Sequence, residues 1–154
     1  MSIVENPVVA HETVRMFVNG QAMTGGTLHG PLARNGSLIA KVRTAAEYRF
    51  WSCRDEFPGL QAVAVGGWPV PGELYAVDYE VLRTELLPSE PPELELAVIA
   101  LEDGGGALAM RFRDEVIGAA DELQIAPIPT GFGWRDYLDS LARVPSPTAT
   151  NLPQ

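Results

Sequence analysis

Hydrophobic and polar positions alternate in several short stretches of this chain, and the stretches are separated by turn-forming residues rather than by long helical periods. Residues 13–18 (TVRMFV) set Val14, Met16 and Val18 on one side and Arg15 and Phe17 on the other, the two-residue period of a strand. The strand runs into NGQAMTGG, where Gly20, Gly25 and Gly26 permit a tight backbone reversal. The polar stretch HGPLARNGS leads to SLIAKV, and the aromatic-rich run YRFWSC (48–53) suits a pleated, half-buried surface. LQAVAVG (60–66) alternates again, ended by Gly66 and Gly67, and VPGELYAVDY (70–79) sets Leu74 and Ala76 opposite Tyr75 and Val77.

Asp78 is placed to cap a short helix from Tyr79 to about Leu87, with Val81, Leu82 and Leu86 on one side and Pro88, Pro91 and Pro92 closing it. LELAVIAL (94–101) and ALAMRFR (107–113) read as a hairpin across EDGGG. WRDYLDSLAR places Trp134, Tyr137, Leu138 and Leu141 on one helical stripe, which packs the last helix onto the sheet. The pattern predicts an α+β, mainly β fold: a small mixed β-barrel or strongly curled sheet of about six strands with two short peripheral helices. Residues 1–12 read as an arm, 13–143 as one domain, and 144–154, with three prolines and no apolar cluster, as a flexible tail.

Composition narrows the class. With 154 residues the chain holds one domain with a real core, and 15 Gly with 13 Pro exclude a helical bundle. Eleven Lys and Arg against 20 Asp and Glu give a formal charge of −9 with no dense basic run, which excludes nucleic acid as a partner. No window of about 18 residues is continuously apolar and the first residues carry no secretory pattern, so no membrane partner and a cytoplasmic location are expected. Cys53 is the single cysteine and reads as a small buried residue rather than a nucleophile. His11 and His29 are the only histidines, in unrelated contexts, so no metal is expected.

No nucleophile elbow, P-loop or H-E-x-x-H pair is present. The informative stretch is MFVNGQAMTGGTLHGPL, where a strand ends in a Gly-containing loop whose backbone N–H groups suit an oxygen-rich ligand. An ordinary glycine-rich turn is the simpler reading of the spacing alone. This segment resembles the first strand and loop of the γ-glutamylcyclotransferase-like superfamily, whose signature is an aromatic–Gly–Ser/Thr–Leu turn. Three further stretches are similar to the C-terminal domain of allophanate hydrolases. These are TAAEYRFW, LLPSEPPELELAVIALEDG and GFGWRDYL, collinear with the first over roughly residues 13–143. At the superfamily turn the chain has Asn19, Gly20, Gln21 and Ala22, so only the glycine is kept. A backbone cradle survives such changes; side-chain recognition of a γ-glutamyl group does not carry over.

The resemblance implies a small enzyme acting on an amide, carbamate or γ-glutamyl-type metabolite by acid/base chemistry, without a cofactor. The alternative is a non-catalytic module that binds a small ligand or an amidase partner. Cyclotransferases of the superfamily use one glutamate after a short helix, and Glu90 stands in the comparable place, with Pro91 where a glycine is usual. Partial burial would suit Glu90 to this task; a solvated acidic loop residue is the plain alternative. A loop histidine is implicated in the allophanate hydrolase domain, and His29 falls within one residue of it; otherwise His29 is a turn residue beside Gly30 and Pro31. The substrate is expected over Asn19, Gly20, Gln21, Ala22 and Met23, with Tyr48, Arg49 and Tyr75 as further polar candidates. Arg49 suits a carboxylate, but alternation puts Tyr48 and Phe50 on one face and Arg49 and Trp51 on the other, so only one pair is interior. The implied ligand is a small anionic molecule, and the protein partners left open are a second copy (a homodimer) and a separate amidase.

Overall fold

In a computed structural model, residues 12–143 are described, so all but the last residue of the expected arm (1–12) and the whole expected tail (144–154) lie outside the described residues. The alternating stretches form β1 (Thr13–Val18), β2 (Gly36–Arg43), β3 (Tyr48–Cys53), β4 (Phe57–Ala62), β5 (Pro71–Asp78), β6 (Leu94–Ala100), β7 (Gly106–Phe112) and β8 (Ile125–Pro127). Helical segments are α1 (Gly30–Asn35), α2 (Tyr79–Val81), α3 (Asp114–Gly118), α4 (Ala120–Leu123) and α5 (Trp134–Arg143). After α2 the chain stays helical through a π turn, Leu82–Leu86, and a 3₁₀ turn, Leu87–Ser89.

The strands form one sheet in the order β2-β5-β1-β7-β4-β3-β8, with β6 paired on β7. This corrects the expected barrel of about six strands and two helices: there are eight strands among the described residues, the sheet is open, and more helical segments flank it. It cannot close because β8 is three residues long and ends in Pro127, which has no N–H for a further partner. At the other margin β2 pairs only with β5 and leaves Leu38 and Ile39 each 51% exposed. The mainly β, α+β class is as the pattern predicts.

The expected strand at 60–66 is displaced. β4 starts at Phe57, includes Pro58 and Gly59 and stops at Ala62, while Gly66 turns the chain at φ 86°. Gly59 is required there because a Cβ would lie 2.6 Å from the Phe112 ring. Such a requirement comes from β7 and leaves no local trace.

β1 and β5 run antiparallel in the register Met16↔Tyr75 and Val18↔Glu73. β7 carries β6 antiparallel along its length and touches β1 and β4 through parallel pairs, Met16↔Leu108 and Leu60↔Arg111. The main core joins Phe17, Phe50, Leu60, Leu74, Val77 and Trp134; a smaller cluster gathers Cys53, Leu94, Phe112, Val116 and Ile125. α5 docks through Trp134 and Tyr137, whereas Leu141, expected on the same stripe, is 40% exposed. No helix among the described residues is long and apolar enough to cross a membrane.

Candidate functional site

β1 ends at Val18 and its continuation folds back on itself. Met23 N–H donates to Gly20 O (3.1 Å), Gly26 N–H to Met23 O (2.8 Å) and Leu28 N–H to Gln21 O (2.9 Å). These bonds make the 19–28 loop a pre-shaped turn. Gly25 takes φ 86°, and a Cβ on Gly26 would stand 2.0 Å from Gln21 O, so both positions need glycine.

The loop forms one wall of a cavity of about 240 Å³. Asn19, Gly20, Gln21, Ala22, Thr27 and Leu28 line it on this side, and Glu56, Phe57 and Pro58 come from the β3–β4 turn and β4. Glu90, Pro91 and Leu94 close it from the segment after the 3₁₀ turn, with Met16, Phe17, Val18 and Met110 beneath. Glu90 and the 19–22 turn thus face one space.

Glu90 lies directly beyond the 3₁₀ turn, its N–H donating to Leu87 O (3.1 Å). Burial pushes its carboxyl up to about 7 from the ordinary 4.5, and no charged neighbour offsets this. A group of that kind exists in both protonation states near neutral pH and can take and return a proton. The second carboxylate on the rim, Glu56, is exposed and paired with Arg54 at 3.2 Å. The side-chain Nδ2 of Asn19, a residue of the cavity wall, is shut off from solvent and has no hydrogen-bond partner among the described residues.

The remaining expected residues fall elsewhere. His29 does not line this cavity; its Nδ1 is 2.9 Å from Ala22 O and its ring stacks at a tilt 5.8 Å from Tyr75. Met23 is buried and faces a different cavity. Tyr48 is buried, its hydroxyl accepting the Ala100 N–H (2.9 Å), while Arg49 on the opposite face is exposed. Alternation along β3 is therefore settled in favour of Tyr48 and Phe50 inside. Tyr75 donates to Glu73 Oε1 (2.9 Å) on the other side of the loop. Cys53 is fully buried and burial pushes its thiol up. Among the described residues no group of three or more His, Cys, Asp or Glu side chains is gathered as a metal site.

Sequence reasoning missed Glu56, Phe57, Pro58, Leu94 and Met110 as cavity walls. They come from strands far from the loop in sequence, and only the pairing of β4 and β6 with β7 brings them there.

Comparison with known proteins agrees with this fold. Residues 14–139 match the family described as Allophanate hydrolase C-terminal domain. A search of curated proteins returns no match. Among solved structures, the uropathogenic E. coli-specific protein c4763 is 30% identical, with a TM-score of 0.73 over 82% of this chain and 96% of that one. Kluyveromyces lactis allophanate hydrolase is 20% identical, with a TM-score of 0.74 over 84% of this chain; the match spans 22% of that enzyme's length. An AIG2-like protein (GGACT) from Mus musculus is 18% identical, with a TM-score of 0.56 over 79% of this chain and 89% of that one. The last two likenesses concern the fold.

Proposed function

The chain belongs to the allophanate hydrolase C-terminal domain family, and from that premise we propose that it is a small enzyme whose Glu90 performs acid/base chemistry on a small amide, carbamate or γ-glutamyl-type compound. The observation that carries this reading is the meeting of a carboxyl held at about 7 with the 19–22 turn in one cavity. The volume, about 240 Å³, suits a metabolite rather than a peptide.

In this reading the reacting carbonyl rests over Asn19, Gly20, Gln21 and Ala22, and backbone N–H groups of this turn donate to the oxygen on which charge develops. Ionised Glu90 takes a proton from the attacking group and, once protonated, returns it to the departing nitrogen, so it ends as it began. The lining side chains include Glu56 and Glu90 but no Lys or Arg, so an anionic ligand would be held through N–H donors and not through an ion pair. His29 acts at one remove, as the positioning residue that fixes Ala22 through its carbonyl.

Turnover of γ-glutamyl amines, carbamates and biuret-like compounds tests this. At least one is expected to react, with a pH profile breaking near 7, and Glu90→Gln should lower kcat about 10²–10⁴-fold while affinity stays within a few-fold. A Glu90→Gln protein that turns over at the native rate removes Glu90 from the chemistry. Ligands that bind both forms equally and never react would favour the binding-module reading.

A further inference from the structure

A second cavity, of about 420 Å³, lies on the other side of the 19–28 loop, where Met23 faces it. Its walls are β2 at Lys41–Arg43, the start of β5 at Pro71–Glu73, and the first residues of α5. Glu102 completes the rim and holds Arg43 at 3.0 Å.

Glu73 is the unusual group here. It is 3% exposed, yet its two oxygens are treated very differently. Oε1 accepts the Thr24 N–H (2.8 Å), the Thr24 hydroxyl (3.2 Å) and the Tyr75 hydroxyl (2.9 Å). Among the described residues Oε2 has only the Arg135 Nη1 at 4.0 Å, beyond hydrogen-bonding reach. Burial by itself would push the Glu73 carboxyl up, but the bonds from Thr24 and Tyr75, with the charge of Arg135, outweigh it and hold the group below its ordinary value. An ionised, buried carboxylate with one oxygen unbonded is costly unless something donates to it.

Charge on the walls indicates what that is. Lys41, Arg43 and Arg135 stand against Glu73, Glu102 and Asp136, so the lining sums to zero and favours a ligand that carries both signs. Arg43 is engaged by Glu102, and Asp136 Oδ2 accepts the Gly133 N–H at 3.2 Å; Glu73 Oε2 is then the buried anionic atom facing the cavity, Arg135 its loose partner at 4.0 Å, and Lys41 a cation without a partner among the described residues. We infer that this cavity binds a small zwitterion of amino-acid type, its ammonium group donating to Glu73 Oε2 and its carboxylate meeting Lys41 and Arg135. The indole of Trp134, 2% exposed and lining the cavity, supplies an apolar wall for the side chain. This site is separate from the Glu90 cavity and its existence does not depend on the chemistry proposed there; the loop between them is shared, since Thr24 holds Glu73 while Asn19–Ala22 line the other space.

The test uses the full chain and the standard amino acids as probes, screened by thermal shift and followed by calorimetry. At least one amino acid is expected to bind, whereas acetate and methylamine, each half of the recognised pattern, bind at least tenfold more weakly. Lys41→Ala and Arg135→Ala, both at exposed positions, should each lower affinity roughly tenfold, the scale of a charge-assisted hydrogen bond. Glu73→Gln should do the same, and Glu90→Gln should leave affinity unchanged. The inference is overturned if no amino acid binds, or if N-acetylglycine, which lacks the ammonium group, binds as well as glycine. It is also overturned if Lys41→Ala and Arg135→Ala both leave affinity unchanged, which would place the molecule outside this cavity.

Discussion

Half-buried Glu90 and fully buried Thr44 show what one polar group does in this fold. The Glu90 carboxyl is pushed up to about 7 by burial, above its ordinary 4.5. Folding therefore favours its protonated form, and that stabilisation is fully present below about pH 4.5 and lost as the pH rises through about 7. Glu90→Gln cannot ionise, so urea unfolding at pH 5 and pH 8 should show the native chain losing up to ~3 kcal/mol relative to the variant across that window. Equal pH slopes for both would mean that the carboxyl is solvated. Thr44 is fully buried, and its hydroxyl accepts the Val70 N–H (3.0 Å) and donates to Ala45 O (2.8 Å). Thr44→Val keeps the shape and orphans the Val70 N–H, so a loss of about 1–3 kcal/mol is expected by the same unfolding measurement, with the Glu90 cavity untouched. At this scale the sequence was readable where position alone matters and opaque where depth does. Glu90 could be placed after its helix from the run LLPSEPP, but the cavity it faces is walled by Phe57, Leu94 and Met110 from other strands. Glu73 could not be singled out at all, because two of the bonds that hold it come from Thr24 in the distant 19–28 loop, and the third comes from Tyr75 on its own strand.

Between residues and the whole stand the elements, and here the 19–28 loop is decisive. Its glycines could be read as turn-formers, and the structure adds which of them are irreplaceable. A Cβ on Gly26 would stand 2.0 Å from Gln21 O, a backbone atom that cannot swing aside without moving the cavity wall. Gly26→Ala is therefore expected to weaken ligand binding or turnover at the Glu90 cavity at least tenfold, read by calorimetry or rate. Gly104→Ala is the matched control: it is strained by its φ of 93° but meets nothing within 4 Å, in a hairpin that lines no part of the Glu90 cavity, so it should cost about 1 kcal/mol of stability and leave binding there alone. If both variants bind like the native chain, the loop is not part of the site. Regular strands were legible by alternation, as YRFWSC becoming β3 with the same bounds shows. β4 was not, because Pro58 and Gly59 speak locally against a strand and are accepted only where Phe112 packs onto Gly59. α1 was read as polar loop although Pro31 sits at the start of the helix, a position where proline costs nothing.

The molecule as a whole explains why the Glu90 cavity requires the complete domain. Its walls come from residues 16–22, 27–28, 56–58, 90–91, 94 and 110, and these are joined through β7, which meets both β1 and β4. Alternation along separate strands does not encode those long-range parallel pairs, so an open sheet and a closed barrel look alike in the sequence. The same interlocking ties the last helix to the distant β3–β4 turn. The Tyr137 hydroxyl donates to Asp55 Oδ1 at 2.7 Å, and the Ser52 hydroxyl donates to the same oxygen at 2.8 Å. Tyr137→Phe leaves Asp55 with its Ser52 donor, so the expected loss is that of one hydrogen bond, about 0.5–1.5 kcal/mol, and not that of an abandoned charge. Because Trp134 is buried beside Tyr137, its rings stacked at 5.8 Å, the part of the indole fluorescence that Trp134→Phe removes reports on the docking of this helix, apart from Trp51 and Trp68. If the domain is one cooperative unit, fluorescence and far-ultraviolet circular dichroism of Tyr137→Phe should shift together to the same lower midpoint. A fluorescence transition that separates from the circular dichroism transition would show α5 detaching on its own. The second cavity would then open before the sheet melts, since Gly133–Asp136 form one of its walls, whereas the Glu90 cavity, which takes no residue from α5, would persist.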